Sequence, residues 1–202
     1  MTTKKPKLFI LDNGHGVDTP GKRSPLWPDG SQLFEWEFNR DVVKRIASLL
    51  DLHGIEYEIL VPEDKNISLA ERCERVNTMC AGYKYHDCIL ISVHANAGGG
   101  TGWECYTTKG NTRSDLAAEI LCEEFEKEFG KEWKMRFNKS TDGDKDKEEN
   151  FYILKHTICP AVLTENFFMD HPKDCELIMS GWGRERIAEA HVKAIQRMIT
   201  EL

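Results

Sequence analysis

The chain has 202 residues, of which 40% are hydrophobic and 30% are charged. This length fits one domain, and the composition is that of a soluble globular protein. The net charge of −7, from 27 basic and 34 acidic residues, argues against a nucleic-acid-binding surface and against adsorption to acidic membranes.

The N-terminal region and the cysteines bear on where the protein is made. No apolar run in the sequence approaches the roughly 20 residues that a membrane-spanning helix needs. The apolar run at residues 8–11 is also too short for the core of a signal peptide. We therefore expect synthesis in the cytoplasm, with no visible signal peptide and no transmembrane segment. Seven scattered cysteines without a Cys-x-x-Cys pair predict reduced thiols, most of them in the core.

Apolar runs of strand length alternate along the chain with segments whose apolar residues recur at helical spacing. In chain order we predict a strand at 8–11, a helix at 34–50, a strand at 55–61, a helix at 68–80, strands at 88–93 and 103–107, a helix at 114–129, a strand at 161–164, a short helix from 172 and a helix at 184–199. Ser68 and Ser114 are the predicted N-caps, and His191 is a predicted core histidine on the last helix. This alternation predicts an α/β fold in a single domain, with a mostly parallel twisted sheet of about five to six strands and helices on both faces.

Charged and polar residues at 131–150 interrupt this pattern. We interpret the segment as an exposed charged loop inserted at about 131–150 in one domain of residues 1–202, and not as a linker between domains. A strand-like run at 151–154 follows it. Two roles for the loop are open, a lid over a binding groove or a solvated surface loop.

Four polar residues lie where predicted strands end or where a helix begins. His15, His94 and Glu165 follow the first, third and last predicted strands closely, and Glu35 begins the first long helix. In a parallel sheet, a helix begins at the same edge at which the preceding strand ends, and ligands bind beyond that edge. We therefore expect these four side chains to meet in one crevice.

Two imidazoles and one carboxylate are a known catalytic zinc set that leaves one position open for water. A second carboxylate nearby can act as general base and later protonate a leaving nitrogen. His15, Glu35 and His94 fit the ligands, and Glu165 fits the base. Glu37 is a rival for Glu35, but residues two apart on a helix point in different directions, so only one of the two can bind the metal.

Five motifs resemble those of the zinc-dependent N-acetylmuramoyl-L-alanine amidases of the amidase-3 family. They are Leu11-Asp12-Asn13-Gly14-His15-Gly16, Glu35-Trp36-Glu37-Phe38-Asn39, Ser92-Val93-His94-Ala95-Asn96-Ala97, Gly102-Trp103-Glu104-Cys105-Tyr106 and Pro160-Ala161-Val162-Leu163-Thr164-Glu165. The motifs occur in the order found in the family and cover nearly the whole chain. One such match would be weak evidence, whereas five in order are strong evidence.

The resemblance implies hydrolysis of the amide between N-acetylmuramic acid and L-alanine in peptidoglycan, by a single catalytic domain. It implies one zinc ion per chain, bound by His15, Glu35 and His94, with Glu165 as the catalytic carboxylate. The Glu-xxx-Asn match at the helix start favours Glu35 over Glu37 as the ligand.

Three further residues, Asn13, Asn96 and Glu104, belong to the same motifs and are candidates for substrate binding or for support of the ligands. The partner implied by the resemblance is peptidoglycan, both its glycan strand and its stem peptide, and we expect a monomer. Neither wall-binding repeats nor an export signal is visible, which fits an endolysin that reaches the cell wall after release, or a wall enzyme exported by another route.

Three alternatives are open. The chain could be another zinc amide hydrolase or a carboxypeptidase on the same scaffold, which its products would reveal. It could be a non-catalytic peptidoglycan-binding or regulatory module, although such a module should have lost a ligand or the base. A phosphate-binding protein is disfavoured because a long loop, and not a helix, follows Gly14-His15-Gly16.

Overall fold

A computed structural model of the chain describes residues 5–140 and 143–202. In chain order its elements are β1 Leu8–Asn13, α1 Glu35–His53, β2 Tyr57–Ile59, α2 Leu69–Cys80, β3 Cys88–Asn96, β4 Glu104–Thr107, α3 Arg113–Phe129, β5 Lys147–Glu148, α4 Tyr152–Lys155, β6 Ala161–Phe168, α5 Pro172–Met179 and α6 Gly181–Glu201. Every predicted helix is present. The α/β architecture predicted from the alternation is confirmed.

The strands form one sheet in the order β2-β1-β3-β6-β4-β5. The ladders that join β2, β1, β3 and β6 are parallel. β4 runs antiparallel to β6, and β5 runs parallel to β4. The sheet is therefore mostly parallel, as predicted, with its departures from the parallel arrangement at one edge.

Helices cover both faces of this sheet because successive side chains of a strand point to opposite faces. On β1, Phe9 and Leu11 pack into a core formed with α1, α3 and α6. The alternate residues, Leu8 and Ile10, pack into a second core with α2 and α4. A strand that is buried on both faces needs an unbroken apolar run, which is the pattern that β1 and β3 have in the sequence.

Three strands extend past the residues at which we predicted their ends. β1 continues to Asn13, β3 to Asn96 and β6 to Phe168. The extensions arise because neighbouring strands supply backbone partners there, as when Asn96 of β3 pairs with Phe168 of β6. The N-cap of α3 is Thr112, and not Ser114 as predicted, since the Thr112 side chain accepts the hydrogen bond.

The interpretation of residues 131–150 as an exposed loop holds only in part for the residues that the structure describes, since most of them are irregular but two places in the segment form β-pairs. Met135 forms a β-bridge with Trp103, and Lys147–Glu148 pairs with β4 as strand β5. An edge strand leaves backbone groups unpaired, so β4 can pair with a charged segment as well as with an apolar one. Residues 141 and 142 lie outside the described residues.

The run at 151–154 is also not a strand, because α4 begins at Tyr152. Its four residues place Ile153 and Leu154 in the second core. No helix of the described chain has the combination of length and hydrophobicity that a membrane crossing requires.

Candidate metal centre

Three side chains from different parts of the chain meet beyond the sheet edge. His15 lies two residues after β1, Glu35 is the first residue of α1, and His94 lies near the end of β3. Glu35 Oε1 lies 3.3 Å from His15 Nε2 and 3.0 Å from His94 Nδ1. The possible ligand atoms of all three residues lie within 4.8 Å of one another. The structure thus brings together the residues that were predicted to bind zinc.

The environment of Glu35 fits a cation. Its side chain is 1% exposed, and its Oε2 atom is buried without a hydrogen bond from the described residues. Burying such an oxygen without a hydrogen bond costs free energy, and a cation held between Glu35 and the imidazoles would remove that cost. Two imidazole nitrogens and a carboxylate oxygen are a donor set that zinc accepts while keeping a fourth position open. The residues present therefore fit zinc.

The ionisation of these groups is consistent with metal binding. Burial alone would raise the pKa of Glu35, but the hydrogen bonds and charges of His15 and His94 outweigh it and hold that pKa well below its usual range. Burial lowers the pKa of His15, against its hydrogen bond to Glu35. Burial acts on His94 in the same direction, but the hydrogen bond and charge of Glu35 outweigh it and raise the pKa of His94. A metal binds the ionised carboxylate and the neutral imidazoles, so metal binding at these residues competes with protons.

Glu165 lies next to this cluster on the neighbouring strand. It is the register partner of His94 in the ladder between β3 and β6. Burial is the main cause that raises the pKa of Glu165 to about 8, while His94 acts to lower it and the charge of Glu35 adds to the rise. The Glu165 carboxyl can therefore hold a proton near neutral pH, as a proton donor must.

His15, His94 and Glu165 line a cleft of about 340 Å³. Lys22 and Arg72 also border it. The remaining wall is largely apolar and includes Ile67, Leu69, Phe151, Tyr152, Ile153 and Leu163. A cleft of this kind, with a few polar groups at one place in an apolar lining, is typical of small-ligand sites. It can hold a substrate against the metal centre and Glu165 together.

Helix geometry separates Glu35 from Glu37. Two residues turn a helix by about 200°, so the two side chains lie on different sides of α1. Glu35 is buried in the cluster, whereas Glu37 is exposed. The structure therefore places in the cluster the glutamate that the motif favoured.

The side-chain amide nitrogen of Asn13 does not face the cleft. Its Nδ2 atom donates to the carbonyl oxygen of Val61 at 2.9 Å, and the residue is buried. This contact ties the end of β1 to the segment after β2. A role in substrate binding for Asn13 stays a prediction.

Glu104 and Asn96 belong to one polar network beside Glu165. Asn96 Nδ2 donates to Glu104 Oε2 at 2.6 Å. Arg136 and Lys147, both from the charged segment, form ion pairs with Glu104 Oε1. Glu104 is 2% exposed and faces its register partner Glu165, so the charged segment contributes two cations close to the cleft. The predicted substrate roles of Asn96 and Glu104 stay predictions.

Sequence reasoning missed two basic residues at the cleft. Lys22 Nζ lies 3.8 Å from Glu35 Oε2, and it comes from a loop in which no sequence signal points to it. Arg72 is buried on α2 and forms an ion pair with Asp12. An arginine on the apolar face of a predicted helix was the available signal, because a buried charge requires a partner.

Known proteins match this chain over nearly its whole length. The family model described as N-acetylmuramoyl-L-alanine amidase matches residues 9–197. The chain is 29% identical over 192 residues to the N-acetylmuramoyl-L-alanine amidase CwlM of Bacillus licheniformis, covering 95% of this chain and 68% of that protein. It is 28% identical over 201 residues to the endolysin of Bacillus phage SPP1, covering 96% of this chain and 66% of that protein. The chain thus spans about two thirds of the length of these relatives.

A solved structure supports the fold. The crystal structure of the N-acetylmuramoyl-L-alanine amidase from Clostridium difficile 630 aligns with a TM-score of 0.78, over 98% of this chain and 99% of that one. The sequences are 22% identical in this alignment, so the likeness shows a shared fold.

Proposed function

This chain belongs to the N-acetylmuramoyl-L-alanine amidase family, and from that membership we propose that it hydrolyses the amide that joins the lactyl group of N-acetylmuramic acid to L-alanine in peptidoglycan. The observation that carries the proposal is the cluster of His15, Glu35 and His94, with Glu165 beside His94 on the next strand and a cleft at their side. An unactivated amide is a poor electrophile. Its hydrolysis needs a polarised carbonyl, an activated water and a proton donor together.

His15, Glu35 and His94 would hold one zinc ion per chain, through two imidazole nitrogens and one carboxylate oxygen. When bound, zinc polarises a carbonyl and lowers the pKa of water to about 7. The burial of Glu35 and its contacts with both imidazoles keep the three ligands in place before the metal arrives. Because the ligands are already in place, metal binding requires little rearrangement of these side chains.

Glu165 would move the proton. In its ionised form, the Glu165 carboxylate takes a proton from the attacking water as the water oxygen bonds to the carbonyl carbon. It then gives that proton to the nitrogen of L-alanine as the carbon–nitrogen bond breaks. The new carboxylic acid loses the second proton of the water to the released amine, so the products are a lactyl carboxylate on the glycan and a stem peptide with a protonated amino group.

The oligomeric state of the protein and its place of action are proposed on the basis of the same family membership. We propose one catalytic domain over residues 1–202 that works as a monomer on the cell wall. A relative from a Bacillus phage is named as an endolysin, which supports this place of action. Glycan and stem peptide are its proposed partners. Light scattering of the purified protein tests the monomer, since a mass of two chains would contradict it.

Mass spectrometry of digested peptidoglycan tests the reaction. We expect stem peptides that begin at L-alanine, released beside intact glycan strands. A chelator should abolish the release of these products, and added zinc should restore it. Cuts at other bonds of the stem would show that the metal site cleaves a peptide bond, as a peptidase does, and not the proposed amide. Absence of cleavage in several wall types, by protein that contains zinc, would contradict catalysis and favour a binding module.

Replacing Glu165 with glutamine tests the proton transfer. Glu165→Gln keeps the shape of the side chain but cannot accept the proton, so we expect the rate of hydrolysis to fall by about 10²- to 10⁴-fold. Zinc content, measured by atomic emission, should equal that of the wild type. A variant with full activity would exclude Glu165 from the mechanism.

A further inference from the structure

The backbone of the His15 loop, which we define as residues 13–15, is held from the helical side by buried side chains. Each of its three successive carbonyl oxygens accepts a hydrogen bond from α1 or α2. The contacts are Arg72 Nη1 to the Asn13 oxygen at 3.1 Å, Asn39 Nδ2 to the Gly14 oxygen at 3.0 Å, and both Arg40 Nη1 at 3.0 Å and Arg72 Nη2 at 3.1 Å to the His15 oxygen.

His15 needs such support because its backbone has φ of 63°. This left-handed conformation is unfavourable for a residue with a side chain and persists where the surroundings impose it. The next residue back, Gly14, lies against the ring of His94, since a Cβ built on Gly14 would come within 2.1 Å of His94 Cε1. The backbone of the His15 loop therefore sets the distance between the two imidazoles of the metal centre.

Both arginines are themselves anchored. Arg72 pairs with the buried Asp12 and also donates from Nε to the Ile67 oxygen at 2.9 Å. Arg40 donates from Nη2 to the Glu63 oxygen at 2.6 Å. The side chains of Arg72 and Arg40 are 3% and 5% exposed. Each guanidinium thus connects a fixed point of the fold to the His15 carbonyl.

We propose that Arg72 and Arg40 are positioning residues of the metal centre. By holding the His15 carbonyl they keep His15 in its left-handed conformation, with its Nε2 towards Glu35 and His94. Neither arginine is assigned a proton transfer. The assignment rests on the proposed function in one respect, that His15 binds the metal.

The variants Arg72→Lys and Arg40→Met test this role. Lysine at position 72 keeps the positive charge next to Asp12 but cannot bind several acceptors at once as a guanidinium does. Arg40→Met removes the hydrogen bond of Arg40 to the His15 carbonyl and leaves no acid on β1 unpaired. We expect zinc to bind about 10- to 100-fold more weakly to each folded variant in competition with a chelator. The visible absorption spectrum of the cobalt-loaded protein should also change, because the ligand geometry changes.

Arg45→Met is the matched control. Arg45 lies on α1 beyond Arg40 and pairs with Asp41 and Glu185, and not with the His15 loop or with Glu63, to which Arg40 is anchored. We expect the zinc affinity and cobalt spectrum of this variant to equal those of the wild type. Circular dichroism of the metal-free proteins establishes that each variant is folded before titration, and if Arg72→Lys does not fold, Arg40→Met decides.

A failure of the proposed function and a failure of the positioning role would give different results in these experiments. Wild-type protein that binds no zinc would contradict the proposed function. Wild-type protein that binds zinc, together with a folded Arg40→Met or Arg72→Lys variant of equal affinity and unchanged cobalt spectrum, would overturn the positioning role alone. An equal loss of affinity in Arg45→Met would also overturn it, because the loss would then not depend on contact with the His15 carbonyl.

Discussion

At the scale of single residues, the two glutamates of the candidate site, Glu35 and Glu165, differ in pKa because their neighbours differ. The contacts of Glu35 with two imidazoles keep its pKa low in spite of burial. Glu165 has no hydrogen bond at its buried Oε2 from the described residues, and burial raises its pKa to about 8. One carboxyl is therefore suited to bind a cation, and the other to hold and release a proton.

Glu35→Gln and Glu37→Gln form a matched pair that tests the ligand assignment. Glutamine at position 35 removes the charge between the imidazoles, so we expect zinc affinity to fall by at least about tenfold. Glutamine at the exposed position 37 should leave zinc affinity and activity unchanged. Equal zinc binding by both variants, measured by chelator competition, would show that Glu35 is not a ligand.

At the scale of elements, α3, α6 and β6 meet around His191, which is buried as predicted. Its Nδ1 lies 2.8 Å from the Ile187 oxygen and its Nε2 lies 3.1 Å from Thr164 Oγ1, while Phe125 packs edge-on against its ring. Burial lowers the pKa of His191 to about 4, against the hydrogen bond to Ile187. The packing of these three elements thus depends on a neutral imidazole.

This burial predicts a pH dependence of stability. An unfolded histidine has a pKa of about 6.5, so between about pH 6.5 and 4 the unfolded chain binds a proton that folded His191 does not. The free energy of unfolding should therefore fall with decreasing pH in this window, by up to about 1.4 kcal/mol per pH unit from this residue.

Urea unfolding at pH 7, 6 and 5 measures this effect. In His191→Gln the contribution is absent, so the stability gap between wild type and variant should change steadily across this range. His53→Gln, at the exposed end of α1, serves as the control and should follow the wild type. Parallel pH profiles for wild type and His191→Gln would contradict the prediction.

At the scale of the whole molecule, the sheet brings residues that are far apart in sequence to one edge. Positions 15, 35, 94 and 165 come from different elements, and zinc bound to the first three would connect β3 to α1 and to the loop after β1. An ion that binds only the folded chain stabilises it by mass action, by about 2.7 kcal/mol at 100 times its Kd.

Removal of the metal should therefore destabilise the protein. We expect a chelator to lower Tm by roughly 5–10 °C relative to the zinc-loaded protein, given about 2–4 °C per kcal/mol at this chain length. His94→Ala lacks one metal ligand, so we expect its Tm to be low and not to rise when zinc is added. A wild-type Tm that ignores both zinc and chelator would count against a metal centre.

The sequence by itself determined the α/β architecture, the residues of the cluster and their order along the chain. Apolar runs such as Leu8–Leu11 are buried on both faces, so their composition alone indicates a covered, mostly parallel sheet. The choice of Glu35 over Glu37 also followed from helix geometry and the motif. These features depend on local periodicity, which a sequence carries directly.

Tertiary structure alone decided which distant groups support the site. The pairing of Lys147–Glu148 with β4 and the continuation of β6 past Glu165 depend on backbone groups that a neighbouring strand offers for pairing. Such backbone pairing depends little on side-chain composition. The contacts of Arg40 and Arg72 with the His15 carbonyl join backbone and side chains 25 and 57 positions apart. Such contacts leave no periodic trace in the sequence, because only the packing of α1 and α2 on the sheet brings them within hydrogen-bonding distance.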